Sequence, residues 1–233
     1  MTLLIGTVSD EHVFLTADCR CTIRDGRMVR RVDTFQKIFP VRDKSLAIVH
    51  HGENVFLQGQ RAVSLKDFVI WVVRENAEVF EQPSIEKMIE RFAAVVGPIA
   101  KHTLRYRGEK LIGFWLAGFV STSAKPKIWE RCWFKDGREE GQDGQNLFVG
   151  GDGREYLLPR DRDFLDSTYN VQGIPRMSVK SVGAYHDKLY EKAVQKAPKP
   201  RCFSRRNDQL VIERDGWRWV QNPEAAHANR PSP

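Results

Sequence analysis

Apolar positions gather at the front of the chain in two short runs, TLLIGTV over residues 2–8 and HVFLTAD over residues 12–18, parted by Ser9, Asp10 and Glu11. Two such runs around a polar turn predict a hairpin. After a basic, glycine-containing loop around Asp25 and Gly26, residues 34–41 (TFQKIFPV) and 45–50 (SLAIVH) predict a second pair of strands about Arg42, Asp43 and Lys44. The period then changes. Leu65, Phe68, Val69, Val72 and Val73 recur at helical spacing between Ser64 and Phe80. Ile85, Met88, Ile89, Phe92, Ala93 and Val96 do the same after Ser84, a residue type that caps helix N-termini. Strand character returns over residues 110–121, 127–135 and 146–150, with Asp136-Gly137 and Asp143-Gly144 as turn signals. A third helix is predicted near Gly153. A fourth runs from Ser178 to Lys196, where Val179, Val182, His186, Leu189, Tyr190 and Ala193 share one face before Pro198 and Pro200 stop it. Gln209 to Glu213 and Trp217 to Gln221 predict a closing hairpin over Arg214, Asp215 and Gly216.

The order is four strands, two helices, three strands, two helices and two strands. Paired helices between groups of antiparallel strands cover each sheet on one face, so the other face must be buried against a partner sheet. The expected fold is therefore α+β, a four-layer αββα sandwich of two antiparallel sheets. It is expected to occupy residues 1–221 as one domain, with the polar segment 222–233 as a disordered tail.

With 233 residues, 41% hydrophobic and 10% aromatic, the chain can bury a substantial core, which excludes an intrinsically disordered protein. The longest apolar runs, such as LIGFWLAGFV from Leu111 to Val120, reach about half the length that spans a bilayer. No basic-plus-apolar leader is read at the start. The expectation is a cytoplasmic protein without a membrane partner. The net charge of +7 comes from basic groups crowded around Arg20 to Arg31 and again around Lys188 to Arg206. Neither cluster carries interleaved aromatics or a known reader motif, so nucleic acid is not expected as a partner. Cys19, Cys21, Cys132 and Cys202 form no C-x-x-C pair and join no histidine at metal-ligand spacing. They are expected to be small buried apolar residues, and neither a metal nor a cofactor is expected.

The stretch TLLIGTVSDEHVFLTADCRCT, followed by FQKIFPV and LAIVHHG, resembles the start of the proteasome core β subunit and of its simpler bacterial relative HslV, which are N-terminal nucleophile (Ntn) hydrolases. That family reads Thr at the mature N-terminus, Asp in an A-D-x-R-x-T strand end, Lys in a K-I strand and Gly after a short apolar strand. The matching residues are Thr2, Asp18 with Arg20, Lys37 with Ile38, and Gly52. NLFVGG, ending at Gly151, and QLVIERDGWRWV also resemble family segments. Gly151 stands where many members carry a supporting Ser, Ser204 matches a second supporting Ser, and Arg201 takes the place of an acidic residue.

The resemblance implies that removal of Met1 frees the α-amine of Thr2. A threonine hydroxyl is a weak nucleophile and needs a base within hydrogen-bond reach, which its own amine can supply. With an unperturbed α-amine pKa near 7.8, roughly 15% is neutral at pH 7. A cation that lowers it by one unit raises that to roughly 60%. Lys37 is the implied cation, with Asp18 holding it and Arg20 bracing the pair from the same strand face. Gly52, followed by an expected helix start, is implied as a backbone oxyanion donor. His50 falls where the family lines its substrate pocket, with His51 as the alternative exposed histidine. The implied activity is threonine-type cleavage of amide bonds in peptides or unfolded protein, in a homo-oligomeric ring fed by a separate ATP-dependent unfoldase. The alternatives are a non-catalytic structural or assembly protein of the same fold and an amidase acting on small molecules through the same Thr2.

Overall fold

The structure is a computed structural model that describes residues 2–25, 28–107, 111–120, 124–143, 146–151, 154–157, 168–169, 173–197, 203–204 and 206–221. The expected tail, residues 222–233, lies outside the described residues, as do Gly153, Arg201 and Cys202.

The fold is α+β. Strands β1 (Leu4–Val8) and β2 (Val13–Asp18) form the expected hairpin, Leu4 opposite Ala17 and Val8 opposite Val13. Residues 21–32 form an unexpected second hairpin of β3 (Cys21–Asp25) and β4 (Met28–Val32). Strands β5 (Ile38–Pro40) and β6 (Leu46–Gly52) pair as predicted. Between β6 and the first helix lies another hairpin absent from the prediction, β7 (Val55–Gln58) and β8 (Arg61–Ser64). Helix α1 (Leu65–Glu75) starts at Ser64, whose side chain accepts from the Asp67 amide, and a separate 3₁₀ turn covers Ala77–Glu81. Helix α2 (Ile85–Arg107) continues through Pro98 because Val96, Ala100 and Leu104 keep one face buried across it. The remaining strands are β9 (Leu111–Gly118), β10 (Lys127–Phe134), β11 (Glu139–Asp143), β12 (Leu147–Gly150), β13 (Thr168–Tyr169), β14 (Asn207–Glu213) and β15 (Gly216–Gln221). A short α3 (Arg154–Leu157) and the long α4 (Val179–Lys196) complete the chain.

Two larger sheets result. The six-stranded sheet runs β13-β12-β1-β2-β14-β15 and the five-stranded sheet β11-β10-β9-β6-β5, every registered pair being antiparallel. Because side chains alternate along each strand, each sheet contributes to two cores. Leu4, Leu15, Phe148 and Leu210 of the first sheet meet Ile38, Val49, Trp115 and Ile128 of the second in one apolar cluster. Ile48, Phe114 and Trp133 face the other way, against Val69, Phe92 and Val96 of α1 and α2. Leu3, Ile5 and Val149 do the same against Tyr190 and Ala193 of α4. The Thr2 end of β1 therefore sits at the rim of the cluster shared by the sheets, beside the ends of β2 and β12. Among the described residues no helix is long and apolar enough to cross a membrane.

Candidate active site

The carboxylate of Asp18, the last residue of β2, organises the site. Its Oδ1 accepts from the Leu3 amide at 2.8 Å and from Lys37 Nζ at 2.6 Å, and its Oδ2 accepts from the Arg20 amide at 3.0 Å. The Asp18 amide in turn donates to the Leu3 carbonyl at 3.0 Å. Both partners of the ion pair are out of water, with side-chain exposures of 1% for Lys37 and 0% for Asp18. A buried ammonium persists only when paired and hydrogen-bonded, and this carboxylate supplies the pairing. Lys37 is also fixed through its backbone, since its carbonyl accepts from the His50 amide at 3.1 Å, which ties the residue before β5 to β6.

Thr2 is buried, at 5% exposure, one residue from the amide that Asp18 holds. Gly151 closes over it. Its φ is +67°, and a Cβ placed there would fall 3.0 Å from Thr2 Cβ and 2.4 Å from the Thr2 carbonyl oxygen. Only glycine allows this approach, so the residue standing where the family carries a supporting Ser is shaped by contact with Thr2 itself.

Ser204 lies behind Asp18. Its hydroxyl accepts from the Cys19 amide at 3.0 Å and donates to the Arg206 carbonyl, while Tyr190 of α4 donates to the Ser204 and Arg206 carbonyls at 3.1 and 3.2 Å. This network pins the end of β2 to α4. Burial, reinforced by the charge of Asp18, pushes the Tyr190 phenol up, so it stays a proton donor in these bonds. Burial also raises the thiols of Cys19 and Cys21, against the pull of Lys37. Both therefore stay protonated thiols.

Three expectations change. Arg20 lies between β2 and β3, and its guanidinium makes a forked pair with Asp33, Nε to Oδ1 and Nη2 to Oδ2, both at 2.5 Å. Its backbone amide is the group that hydrogen-bonds Asp18. Gly52 has φ +93°, and a Cβ there would meet the Leu111 carbonyl at 2.4 Å, but the segment after it leads into the β7–β8 hairpin and not into a helix. His50 and His51 are both buried, at 0% and 1%. His50 packs on Phe114, ring centroids 5.3 Å apart, and burial next to His51 keeps it neutral. It is enclosed in the core. His51 points to the opposite sheet face, where its Nε2 lies 2.8 Å from Glu130 Oε1. Sequence reasoning missed Tyr190 and the Gly151 contact, for neither follows from local spacing.

No family model matches the chain, and no curated protein matches it. Among solved structures it is similar to a mutant of Anbu from Hyphomicrobium sp. strain MC1, with a TM-score of 0.59 and 14% identity over 95% of this chain and 86% of that one. The expected membership in the proteasome core β subunit and HslV family is overturned by these findings. The motifs that suggested it are a few residues each, and the likeness at this identity is one of fold alone.

Proposed function

We propose that this chain is a hydrolase in which Thr2 acts as an N-terminal nucleophile on amide bonds, within a four-layer αββα sandwich. The observation that carries the reading is the single oxygen of Asp18 that holds both the Leu3 amide, next to Thr2, and the Lys37 ammonium. A buried positive charge is thereby held two hydrogen bonds from the Leu3 amide, the group that follows the residue that must lose a proton. The αββα layering is supported by the three apolar clusters, one between the sheets and one under each helical layer.

In this reading Met1 is removed and the Thr2 hydroxyl attacks the carbonyl carbon of the substrate. Its proton passes to the α-amine, whose affinity for protons is lowered by Lys37. The Gly52 amide receives the oxyanion. The amine then protonates the leaving nitrogen, and water returns the acyl group from the Thr2 ester to solution. Peptides or unfolded protein are the proposed substrates, in the cytoplasm, whose reducing conditions suit the reduced, buried thiols of Cys19 and Cys21. Assembly into a homo-oligomeric ring, served by a separate unfoldase, belongs to the same proposal and is read from mass in solution.

The test is hydrolysis of a panel of fluorogenic peptide amides and unfolded casein. Release by the wild type that disappears in Thr2→Ala, while circular dichroism stays the same, is expected. Equal release by both, or by neither, overturns the reading.

A further inference from the structure

A second cluster of chemistry-bearing side chains lies on the face of the five-stranded sheet that looks toward the other sheet. His51 of β6 stands opposite Gly113 of β9, and Gly113 stands opposite Cys132 of β10, so the three form one row across adjacent strands. Glu130 is two residues from Cys132 along β10 and shares its face. His51 Nε2 lies 2.8 Å from Glu130 Oε1 and 3.8 Å from Cys132 Sγ, and one nitrogen, one oxygen and one sulfur all fall within 4.8 Å of one another. All three residues are buried, at 1%, 2% and 1% exposure.

Gly113 makes this convergence possible. A Cβ on it would fall 2.2 Å from His51 Nε2, so the absent side chain is the space through which the imidazole reaches across the strand to its partners. Trp115 adds an outer contact, its Nε1 donating to Glu130 Oε1 at 2.9 Å. Carboxylates that bind metal are oriented by such neighbours.

We propose that His51, Glu130 and Cys132 form a binding site for a divalent zinc-like ion. Bonds of about 2.0 Å to nitrogen and oxygen and 2.3 Å to sulfur, at tetrahedral angles, put ligand atoms roughly 3.3–3.7 Å apart. The two separations from His51 Nε2, 2.8 and 3.8 Å, bracket that edge and all three atoms lie within 4.8 Å of one another, so loading needs the imidazole and carboxylate to spread and the carboxylate and thiolate to settle around the ion. The charges also balance. A thiolate, a carboxylate and a neutral imidazole cancel a doubly charged ion and leave no net charge in the core. Thiolate with imidazole favours zinc over magnesium or calcium. Three protein ligands leave a fourth position for water or a small anion. The site uses none of the groups assigned to the Thr2 chemistry.

The full-length chain is unfolded, refolded with excess zinc or cobalt, desalted and analysed for metal. About one equivalent per chain is expected, and the cobalt form should show a thiolate-to-cobalt charge-transfer band. The same band in a variant carrying Cys19→Ser, Cys21→Ser and Cys202→Ser assigns it to Cys132, and its loss on adding Cys132→Ser completes the assignment without reference to activity. Should that last variant fail to fold, the band in the triple variant decides. Less than a tenth of an equivalent in the wild type, or a bound cobalt without a thiolate band, overturns the proposal.

Discussion

Lys37 Nζ donates to Asp18 Oδ1 over 2.6 Å, with neither side chain more than 1% exposed. Removing one member of a buried pair leaves the other charge uncompensated, which costs about 3–5 kcal/mol. Lys37→Met should therefore lower the free energy of unfolding by about that much in urea titration, and Lys37→Met with Asp18→Asn should recover part of it. A loss below about 1 kcal/mol for Lys37→Met would show that the pair is solvated.

The side chain of Arg20 predicts a small effect by contrast. Its partner Asp33 is 43% exposed, and pairs of that kind contribute about 0–1 kcal/mol. Arg20→Ala keeps the backbone amide that donates to Asp18, so both stability and the rate of any Thr2-dependent hydrolysis should stay close to wild type. A tenfold loss of rate would return the guanidinium to the site.

Gly151 should not accept the serine found at that place in the family the opening residues resemble. A side chain at φ +67° costs about 1–2 kcal/mol, and its Cβ would press on the Thr2 carbonyl. Gly151→Ser and Gly151→Ala should both unfold at lower urea and both lose reactivity at Thr2. Retained reactivity in Gly151→Ser would mean that Thr2 has room the geometry does not show.

Acid should destabilise the fold through its buried histidines. His186 is driven down to about 3 by burial, its ring nitrogens within 2.8 and 3.2 Å of the Thr16 and Thr7 hydroxyls, and His50 is also held well below 6.5 by burial. Both stay neutral in the fold but take up protons in the unfolded chain below about pH 6.5. Stability is thus fully present above that pH and falls as pH drops toward the folded values, by about 1.4 kcal/mol per pH unit for each histidine. Urea titrations between pH 6.5 and 4.5 should show this slope, and His186→Gln should remove about one proton from it. A profile that His186→Gln leaves unchanged would contradict the assignment.

Much of this was legible in the chain. Strands β1, β2, β6, β9 and β10, helix α4 and the β14–β15 hairpin carry clear periodicity and turn residues. The β3–β4 hairpin was missed because basic side chains crowd it and no alternating apolar face marks it. The β7–β8 hairpin was hidden by Ser64, which reads as a helix cap and is also the last residue of β8. Helix α2 runs beyond Val96, the last periodic position read in the sequence, because burial of Ala100 and Leu104 overrides the local cost of Pro98. In the site, Asp18 and Lys37 were named from sequence and meet in space, whereas Arg20 was read as part of a strand that ends at Asp18 and its guanidinium pairs with Asp33. The meeting of His51 with Cys132, 81 residues apart, depends on the register of three strands, which no motif spacing records.

In the proposed reaction Thr2 becomes a nucleophile assisted by its own amine. Intact-mass measurement before and after incubation with a peptide epoxyketone, which closes a ring only through a free α-amine and the adjacent hydroxyl, tests it most directly. The expected result is a starting mass without Met1, a single adduct, and no adduct in Thr2→Ala. A protein that keeps Met1, or one that lacks it and still takes up no inhibitor, would contradict it.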